Sequence, residues 1–472
     1  MTDQHVTGSD HTAHETTGAS VPYTQDDLDR ARRGKELDRK HVFHSWSAQD
    51  KIDPMAVVTA QGSRLWDADG NEYIDFSSQL VNTNIGHQHP TVVKAIQDQA
   101  ARLCTIAPPH ANDARSEAAR LISELAPEGL NSVFFTNGGA DANEHAVRMA
   151  RLHTGRQKVL TAYRSFHGGT TLAVNLTGDP RRFANDTPGA GVVHFMPAYT
   201  YRSYFGSADE TEETERALRH LEDMIVLEGP QNIAAVMLES IPGTAGIYTP
   251  PPGYLAGVRE LTRRYGIMYI ADEVMAGFGR AGEWFAIDHW GVTPDLITFA
   301  KGVNSGYVPL GGVIISDEIR QTFAERPYPG GLTYSGHPLA TAAAVATINA
   351  MRDEAMVENA KRLGAEVIGP YLEKIEANHP SVGEVRGMGC FWALELVANA
   401  ETREPLAPYG GSSEAMDRVT AEIKRNGVLP FTNFNRIHVV PPLNTPDDEV
   451  LEGLHIIDRA LDIADEYVER IH

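Results

Sequence analysis

The sequence predicts an α/β fold in which helices cover a mostly parallel sheet. Three short segments are almost continuously apolar and end in polar residues: IAAVMLES (233–240), IMYIADEV (267–274) and DLITFAKG (295–302). Continuous rather than alternating hydrophobicity is typical of strands that are buried on both faces. Helical segments lie between such strands, for example YLAGVRELTRRYG (254–266), which closes with a glycine suited to a helix C-terminus. Together these observations indicate the α/β class.

An earlier segment repeats this alternation. SVFFTNG (132–138) has the pattern of a strand followed by a glycine turn. ADANEHAVRMARLHTG (140–155) then has helical spacing, with Ala142, Ala146, Met149 and Ala150 on one side.

Two other regions predict a smaller α+β part. Residues 57–78 alternate and contain Asp-Gly-Asn, which indicates a β-hairpin. From about Thr347, charged helices alternate with short strands such as CFWALELV (390–397) and RIHVVPP (436–442). We therefore expect a disordered leader over 1–22, an N-terminal segment over 23–75 that packs with the small domain, a large domain over 76–345, and a C-terminal small domain over 346–472.

The composition disfavours several classes of function. The 472 residues include 41 lysines and arginines against 63 aspartates and glutamates, which gives a net charge of −22. Such a surface argues against nucleic acid and anionic membranes as partners. The sequence has no run of the ~18–20 apolar residues that a membrane helix needs, and its polar N-terminus lacks the apolar core of a secretory signal. The two cysteines, Cys104 and Cys390, are far apart, so we expect a reducing, cytoplasmic location.

Polar residues stand at the predicted carboxyl ends of the strands, where open α/β sheets bind ligands. Each has an ordinary alternative interpretation. A double-glycine turn is more often structural than a phosphate site, an aspartate at this position suits a cap on the next turn, and most lysines keep a solvated head group. The residues are Gly138, Gly139 and Ala140 in one turn, Glu239, Asp272 with Glu273, and Lys301.

The combination of these residues is more specific than its parts. Backbone N–H groups at a helix start can hold a phosphate, a buried carboxylate can keep a ring nitrogen protonated, and a desolvated lysine is a nucleophile that forms imines. These are the three groups that pyridoxal phosphate requires. The sequence therefore predicts pyridoxal 5′-phosphate as the cofactor.

Two long segments are the most specific in the sequence, YIADEVMAGFGRAGEWFA (269–286) and PDLITFAKGVNSGYVPLGG (294–312). Through them, and from about His44 to its end, the chain resembles the class III pyridoxal-phosphate aminotransferases, or ω-transaminases, of the amine or taurine:pyruvate type. The resemblance implies a fold type I transferase, with a large domain and a smaller α+β domain, that works as a homodimer with shared active sites. Further matching segments are TNGGADANEHAVRMAR (136–151), SFHGGT (165–170), VMLESIPGTAGI (236–247) and LTYSGHPLA (332–340).

The resemblance implies roles for the residues around the cofactor ring. Lys301 matches the lysine that binds the cofactor and later transfers the proton, and Asp272 matches the partner of the pyridine nitrogen. Val274 and Phe166 would pack on opposite faces of the ring. Gly302 would keep bulk away from the lysine.

The resemblance also implies how the rest of the cofactor is held. The turn that contains Gly138, Gly139 and Ala140 would bind the phosphate, and Thr333 would reach it from the partner subunit. His167 would orient the site, and Glu239 would lie near it.

Two positions depart from the family pattern or leave a role open. Many relatives have serine where Ala140 stands, so one side-chain hydrogen bond to the phosphate is missing. An arginine near the C-terminus often binds the carboxylate of the amino acceptor, because a guanidinium can contact both oxygens. Arg436 is the candidate here, but it stands several positions from the expected place. A plain surface or ion-pair arginine is the alternative.

The resemblance implies ping-pong transamination, in which a primary amine or an ω-amino acid gives its amino group to pyruvate, with a ketone or aldehyde and alanine as products. The donor pocket would be apolar and aromatic, which favours amines without an α-carboxylate. The alternative is that these residues belong to the ordinary core. The proposed lining residues are Trp46, Leu80, Val81, Phe166 and Tyr163.

Three other functions compete with this interpretation. A lyase or aminomutase could use the same fold and cofactor. A dinucleotide-binding enzyme would also explain the α/β strands, but it predicts a G-x-G-x-x-G motif that NGGADAN (137–143) lacks. A non-catalytic protein should have lost Lys301 or Asp272. GHQHP (86–90) lacks a third ligand, so we expect no metal site.

Overall fold

The computed structural model describes residues 21–187 and 191–468. The predicted leader over 1–22 lies outside these ranges, apart from Val21 and Pro22. The described residues divide into two compact units: unit 1 comprises residues 21–59 and 65–71, and unit 2 comprises residues 60–64, 72–187 and 191–468. The domain boundaries expected at residues 76 and 346 stay predictions.

The N-terminal elements follow from local signals. Helix α1 (Gln25–His41) begins at a capping box, in which Thr24 and Asp27 bond each other's backbone N–H. Strands β1 (Val57–Gln61), β2 (Arg64–Asp67) and β3 (Glu72–Asp75) follow. A turn stands at the predicted Asp-Gly-Asn, where the Asp67 carboxylate accepts the Asn71 N–H at 2.9 Å.

Unit 2 continues with alternating helices and strands. Its helices, within the described ranges, are α2 (Ser78–Val81), α3 (Pro90–Arg102), α4 (Asp113–Leu125), α5 (Gly139–Thr154), α6 (Thr171–Leu176), α7 (Glu210–Glu228), α8 (Tyr254–Tyr265), α9 (Asp317–Thr322), α10 (Pro338–Asp353), α11 (Met356–Arg362), α12 (Gly369–Asn378), α13 (Glu414–Arg425) and α14 (Asp447–Asp465). Its further strands are β4 (Leu130–Thr136), β5 (Lys158–Ala162), β6 (Val192–Phe195), β7 (Ile233–Glu239), β8 (Met268–Asp272), β9 (Leu296–Phe299), β10 (Gly311–Ser316), β11 (Val382–Met388), β12 (Phe391–Asn399), β13 (Glu404–Pro405), β14 (Val428–Leu429), β15 (Phe431–Asn433) and β16 (Arg436–Val439).

The large sheet has seven strands in the order β4-β10-β9-β8-β7-β5-β6. Strands β6, β5, β7, β8 and β9 are parallel, and β10 runs antiparallel between β9 and β4. Every residue of β7 is buried, as its continuous apolar run predicts. The predicted face of α5 is also buried, and the helix ends at Gly155 with a φ of +70°. The α/β prediction is confirmed.

A second, antiparallel sheet forms the later part of unit 2. Its main strands run in the order β11-β12-β16-β15, and β13 pairs with β12. Four helices (α11–α14) belong to the same part of the chain, so the expected smaller α+β region is present. No helix among residues 21–187 and 191–468 is long and apolar enough to cross a membrane.

Candidate active site

The site begins where three parallel strands end side by side. Glu239 ends β7 and pairs in register with Asp272, which ends β8. Strand β9 ends two residues before Lys301, which opens a 3-10 turn with a φ of +45°. A non-glycine residue at positive φ is uncommon and marks a constrained backbone. The sheet therefore brings together the two acids and the lysine that the sequence singled out.

Asp272 is buried and accepts three hydrogen bonds. Its Oδ2 contacts His167 Nδ1 at 2.7 Å and Asn143 Nδ2 at 2.9 Å, while its Oδ1 accepts the Val274 N–H at 3.0 Å. Burial acts to lower the pKa of His167, but the hydrogen bond and charge of Asp272 outweigh it and raise that pKa. The three donors thus fix the orientation of Asp272, whose side chain can pair with a protonated ring nitrogen.

Lys301 stands in surroundings that favour its neutral form. Part of its side chain is accessible, but burial of the amine lowers the pKa of Lys301 to about 8, against the opposing charges of Asp272 and Glu239. A neutral amine is the nucleophilic form of lysine. A Cβ on the next residue, Gly302, would lie 2.4 Å from Asn84 Nδ2, so this position leaves little room for a side chain.

Glu239 connects two loops at this edge. Its Oε1 accepts the Phe166 N–H at 2.9 Å, and its Oε2 accepts the Gly243 N–H at 3.0 Å. Burial, with the nearby charge of Asp272, raises the pKa of Glu239 to about 7. The guanidinium of Arg181 lies over the Phe166 ring, 3.5 Å from its centre. Glu239 therefore fixes the backbone of Phe166, and Arg181 covers its ring.

The start of α5 forms a narrow cradle of backbone. Gly138 precedes the helix, and no side chain of the described residues caps it. A Cβ on Gly139 would lie 2.7 Å from Val274 Cγ1, so only glycine fits without displacement. Ala140 also has a close neighbour, because a Cβ added to Gly168 would lie 2.5 Å from the Cβ of Ala140. The 16-residue helix thus begins in tightly packed surroundings, and its first N–H groups are of the kind that binds an anion.

The proposed substrate residues lie in different surroundings. Val81 is buried in an apolar cluster, and Leu80 beside it is exposed. Tyr163 stacks on His194 with ring centres 5.0 Å apart. Thr333 is exposed. Trp46 belongs to unit 1, where it is also largely exposed.

Arg436 begins β16 in the antiparallel sheet and is 2% exposed. Its Nε has no hydrogen-bond partner among the described residues. Burial lowers the pKa of Arg436. The guanidinium lies 5.2 Å from the centre of the Phe434 ring. Because Arg436 is buried, it is not a plain surface arginine, which was one alternative to a role in binding the acceptor.

The two histidines of GHQHP have separate partners. His87 Nε2 lies 2.9 Å from Asp75, and His89 Nε2 lies 3.0 Å from Glu354. Each pairing is an ordinary hydrogen bond between an imidazole and a carboxylate.

Sequence reasoning missed two residues that touch this site. Asn143 bonds both Asp272 and the His167 carbonyl oxygen, the latter at 2.7 Å. It stands one helical turn after Gly139, so helical spacing could have pointed to it. Arg181, which covers Phe166, follows Gly-Asp-Pro in a short 3-10 turn (Pro180–Arg182) that gives no functional signal in the sequence.

Comparison with known proteins agrees with this geometry. The sequence model of the family described as Aminotransferase class-III matches residues 46–461. The chain is a class III aminotransferase.

Two solved structures and one sequence relative illustrate the similarity. Putrescine–pyruvate aminotransferase of Pseudomonas aeruginosa is 34% identical over 92% of this chain and 96% of its own. A taurine:2-oxoglutarate aminotransferase from Bifidobacterium kashiwanohense, solved with PLP and glutamate, is 41% identical with a TM-score of 0.89, over 92% of this chain and 98% of its own. An (S)-enantioselective ω-transaminase from Thermomicrobium roseum is 33% identical with a TM-score of 0.86, over 92% and 99% of the two chains.

This class III aminotransferase depends on pyridoxal phosphate and catalyses transamination, and its family does not favour the lyase alternative. The residues present fit the cofactor: a helix start without a side-chain cap for the phosphate, a buried carboxylate for the ring nitrogen and a desolvated lysine for the aldehyde. When bound, pyridoxal phosphate supplies an aldehyde that accepts the amine and a ring that withdraws electrons from the substrate.

Proposed function

We propose that the protein transfers the amino group of a primary amine to pyruvate, giving an aldehyde or ketone and alanine. The observation that carries this proposal is the desolvated Lys301, placed after β9 at the same sheet edge as Asp272. The identity of the acceptor is supported by the relative from Pseudomonas aeruginosa, which is named for putrescine and pyruvate.

In this proposal Lys301 is the base that removes and returns the substrate proton. With a pKa of about 8, its amine is partly neutral at neutral pH and can accept a proton. Asp272 holds the cofactor nitrogen, and His167 orients Asp272 through its hydrogen bond. Val274 and Phe166 pack on the two faces of the ring.

We assign the remaining contacts by the same reasoning. The backbone of Gly138, Gly139 and Ala140 holds the phosphate, and Glu239 keeps Phe166 in place. The donor side chain meets apolar and aromatic surface, formed by Leu80, Val81 and Tyr163.

Arg436 is the proposed site for the acceptor carboxylate. A buried guanidinium is costly when, as among the described residues, it has no carboxylate partner, and a substrate anion would relieve that cost. A second acceptor, 2-oxoglutarate, is favoured by one specific observation. The relative from Bifidobacterium kashiwanohense, 41% identical, is named for it and was solved with glutamate.

We further propose a cytoplasmic homodimer. Thr333 and Tyr334 are exposed in a segment that resembles the family's partner-subunit contact, so an exposed position there suits a role in a second active site. Both cysteines are free, as a reducing compartment requires.

An absorbance titration of the purified holoenzyme tests the proposal. Adding an amine donor should bleach the visible band of the cofactor, and adding pyruvate should restore it with release of alanine. A panel of amines separates donors with and without a carboxylate, and 2-oxoglutarate in place of pyruvate separates the two acceptors. Release of ammonia without an acceptor would contradict transamination.

A further inference from the structure

Two oppositely charged side chains on neighbouring strands do not pair with each other. Glu395 on β12 is the direct cross-strand partner of Arg436 on β16. Cross-strand neighbours have Cβ atoms about 4.5–5.5 Å apart, and opposite charges at such positions normally attract. Yet Arg436 takes part in no ion pair within residues 21–187 and 191–468, and its buried Nε has no hydrogen-bond partner there.

Three other side chains donate hydrogen bonds to Glu395 instead. Its Oε2 accepts the Tyr199 hydroxyl at 2.7 Å and Arg386 Nη2 at 2.8 Å. Its Oε1 accepts the Nε of Arg202. Both carboxylate oxygens of Glu395 therefore accept hydrogen bonds, and Arg202 is the donor to Oε1.

Arg386 is itself fixed from several directions. It donates to the Gly246 carbonyl oxygen at 2.7 Å and to Glu384, and its guanidinium lies 5.0 Å from the centre of the Tyr199 ring. Tyr199 in turn stacks on Tyr248 at 3.8 Å between ring centres. The donors to Glu395 are thus built into a rigid aromatic and ionic assembly.

Gly246 links this assembly to Arg436 and to the active site. A Cβ at Gly246 would lie 2.4 Å from Arg436 Cδ and 2.6 Å from Arg386 Nη2, so the backbone passes closely between the two arginines. The same turn contains Gly243, which donates to Glu239 at the end of β7. Arg436 is therefore held beside the turn that also positions Glu239.

We propose that Arg202 is a positioning residue, which with Arg386 and Tyr199 keeps Glu395 from neutralising Arg436. The guanidinium of Arg436 then stays available for the carboxylate of a 2-oxo acid. This inference rests on the proposed function, because it needs Arg436 to bind the acceptor.

The decisive variant is Arg202→Gln, which releases Oε1 of Glu395 toward Arg436. We expect the KM for pyruvate to rise about tenfold, which is the size of one charge-assisted contact. The rate of the half-reaction with 1-phenylethylamine, which carries no anionic group, should not change. Arg202→Lys should stay within about threefold of wild type, since it keeps a charged donor.

The double variant Arg202→Gln/Glu395→Gln separates this effect from a loss of folding. Removing the charge of Glu395 should restore the KM for pyruvate, whereas a merely structural role of Arg202 predicts a further loss. Arg264→Gln is the matched control, because Arg264 forms an exposed pair with Glu222. It should leave both half-reactions unchanged.

A second measurement avoids turnover altogether. Isothermal titration of the holoenzyme with propionate, an unreactive carboxylate, should show the same tenfold loss in Arg202→Gln and the same recovery in the double variant. Equal affinities in wild type and Arg202→Gln would overturn the inference.

Arg436→Gln distinguishes failure of the inference from failure of the proposed function. If it raises the KM for pyruvate but not for propanal, Arg436 binds the carboxylate and the Arg202 variants test the inference alone. If pyruvate is unaffected, the assignment of Arg436 fails, and the inference fails with it.

Discussion

Two buried clusters of charged side chains differ in how their charges can change. At the edge of the large sheet, Lys301 and Glu239 have pKa values of about 8 and about 7, so both can exchange protons near neutral pH. At the antiparallel sheet, the cations are Arg386 and Arg436 of the sheet and Arg202 of a separate 3-10 turn, and guanidinium groups stay charged at all physiological pH values. The first cluster is therefore suited to proton transfer, and the second to a permanent positive charge for an anion.

The same physical cause acts in both clusters. Burial lowers the pKa of Lys301 and also that of Arg436. A lysine responds by losing its proton, while an arginine keeps its proton and needs an anion instead. Residue type, rather than burial alone, decides which chemistry the cluster supports.

The largest expected effect comes from Lys301→Ala, which removes the proton-transferring amine of the first cluster. We expect transamination to fall by about 10²–10⁴-fold, the usual contribution of a general base. Steady-state rates with a saturating donor and pyruvate measure this. Lys361→Ala is the control, because Lys361 is an exposed lysine paired with Glu283. Similar rates for the two variants would contradict the role of Lys301.

A smaller loss is expected from Asp272→Asn, which keeps the shape of the side chain but removes its charge. We expect the rate to fall about 100-fold, as when one preorganised electrostatic group is lost. The pKa of His167 should also fall, because Asp272 is what raises it. Titration of the His167 ring by NMR checks this. A variant with full activity and an unchanged His167 titration would refute the account of the ion pair.

The parts of the fold and the site that could be predicted from the sequence are those that depend on interactions between residues close together in the chain. The strands before Glu239, Asp272 and Lys301 could be predicted because apolar runs and turns are local signals. Their meeting at one edge follows from a parallel sheet.

The second cluster could not be predicted in the same way. Glu395 and Arg436 are neighbours only because β12 pairs with β16, and register between distant strands leaves no local signal. Glu395 instead accepts hydrogen bonds from Arg202 and Tyr199, which lie almost 200 positions earlier in the chain. Asn143 differs, because its spacing from Gly139 along α5 is a local signal that could have pointed to it.

The cradle at the start of α5 gives a further prediction. In Gly139→Ala, the new Cβ would lie 2.7 Å from Val274 Cγ1, and such overpacking typically costs about 1–3 kcal/mol. We expect weaker binding of pyridoxal phosphate and a smaller rise in Tm when the cofactor is added. Thermal unfolding with and without cofactor measures both. An unchanged cofactor-dependent rise in Tm would show that this turn does not hold the cofactor.

The smallest effect concerns pH and contrasts the clusters directly. With a pKa of about 8, the neutral fraction of Lys301 rises about tenfold between pH 7 and pH 9. The rate at which the cofactor-free protein takes up pyridoxal phosphate should rise by the same factor. Propionate affinity of the holoenzyme should stay within about twofold over that range, because Arg436 remains charged. If cofactor uptake and propionate affinity changed with pH in the same way, the two clusters would not differ in how their charges respond to pH.

The most direct test of the central claim is to locate the covalent attachment of the cofactor. The holoenzyme is reduced with borohydride, digested and mapped by mass spectrometry. Lys301 should carry the pyridoxyl group, and no other lysine should be modified. A pyridoxyl group on a different lysine, or none on Lys301, would contradict the account.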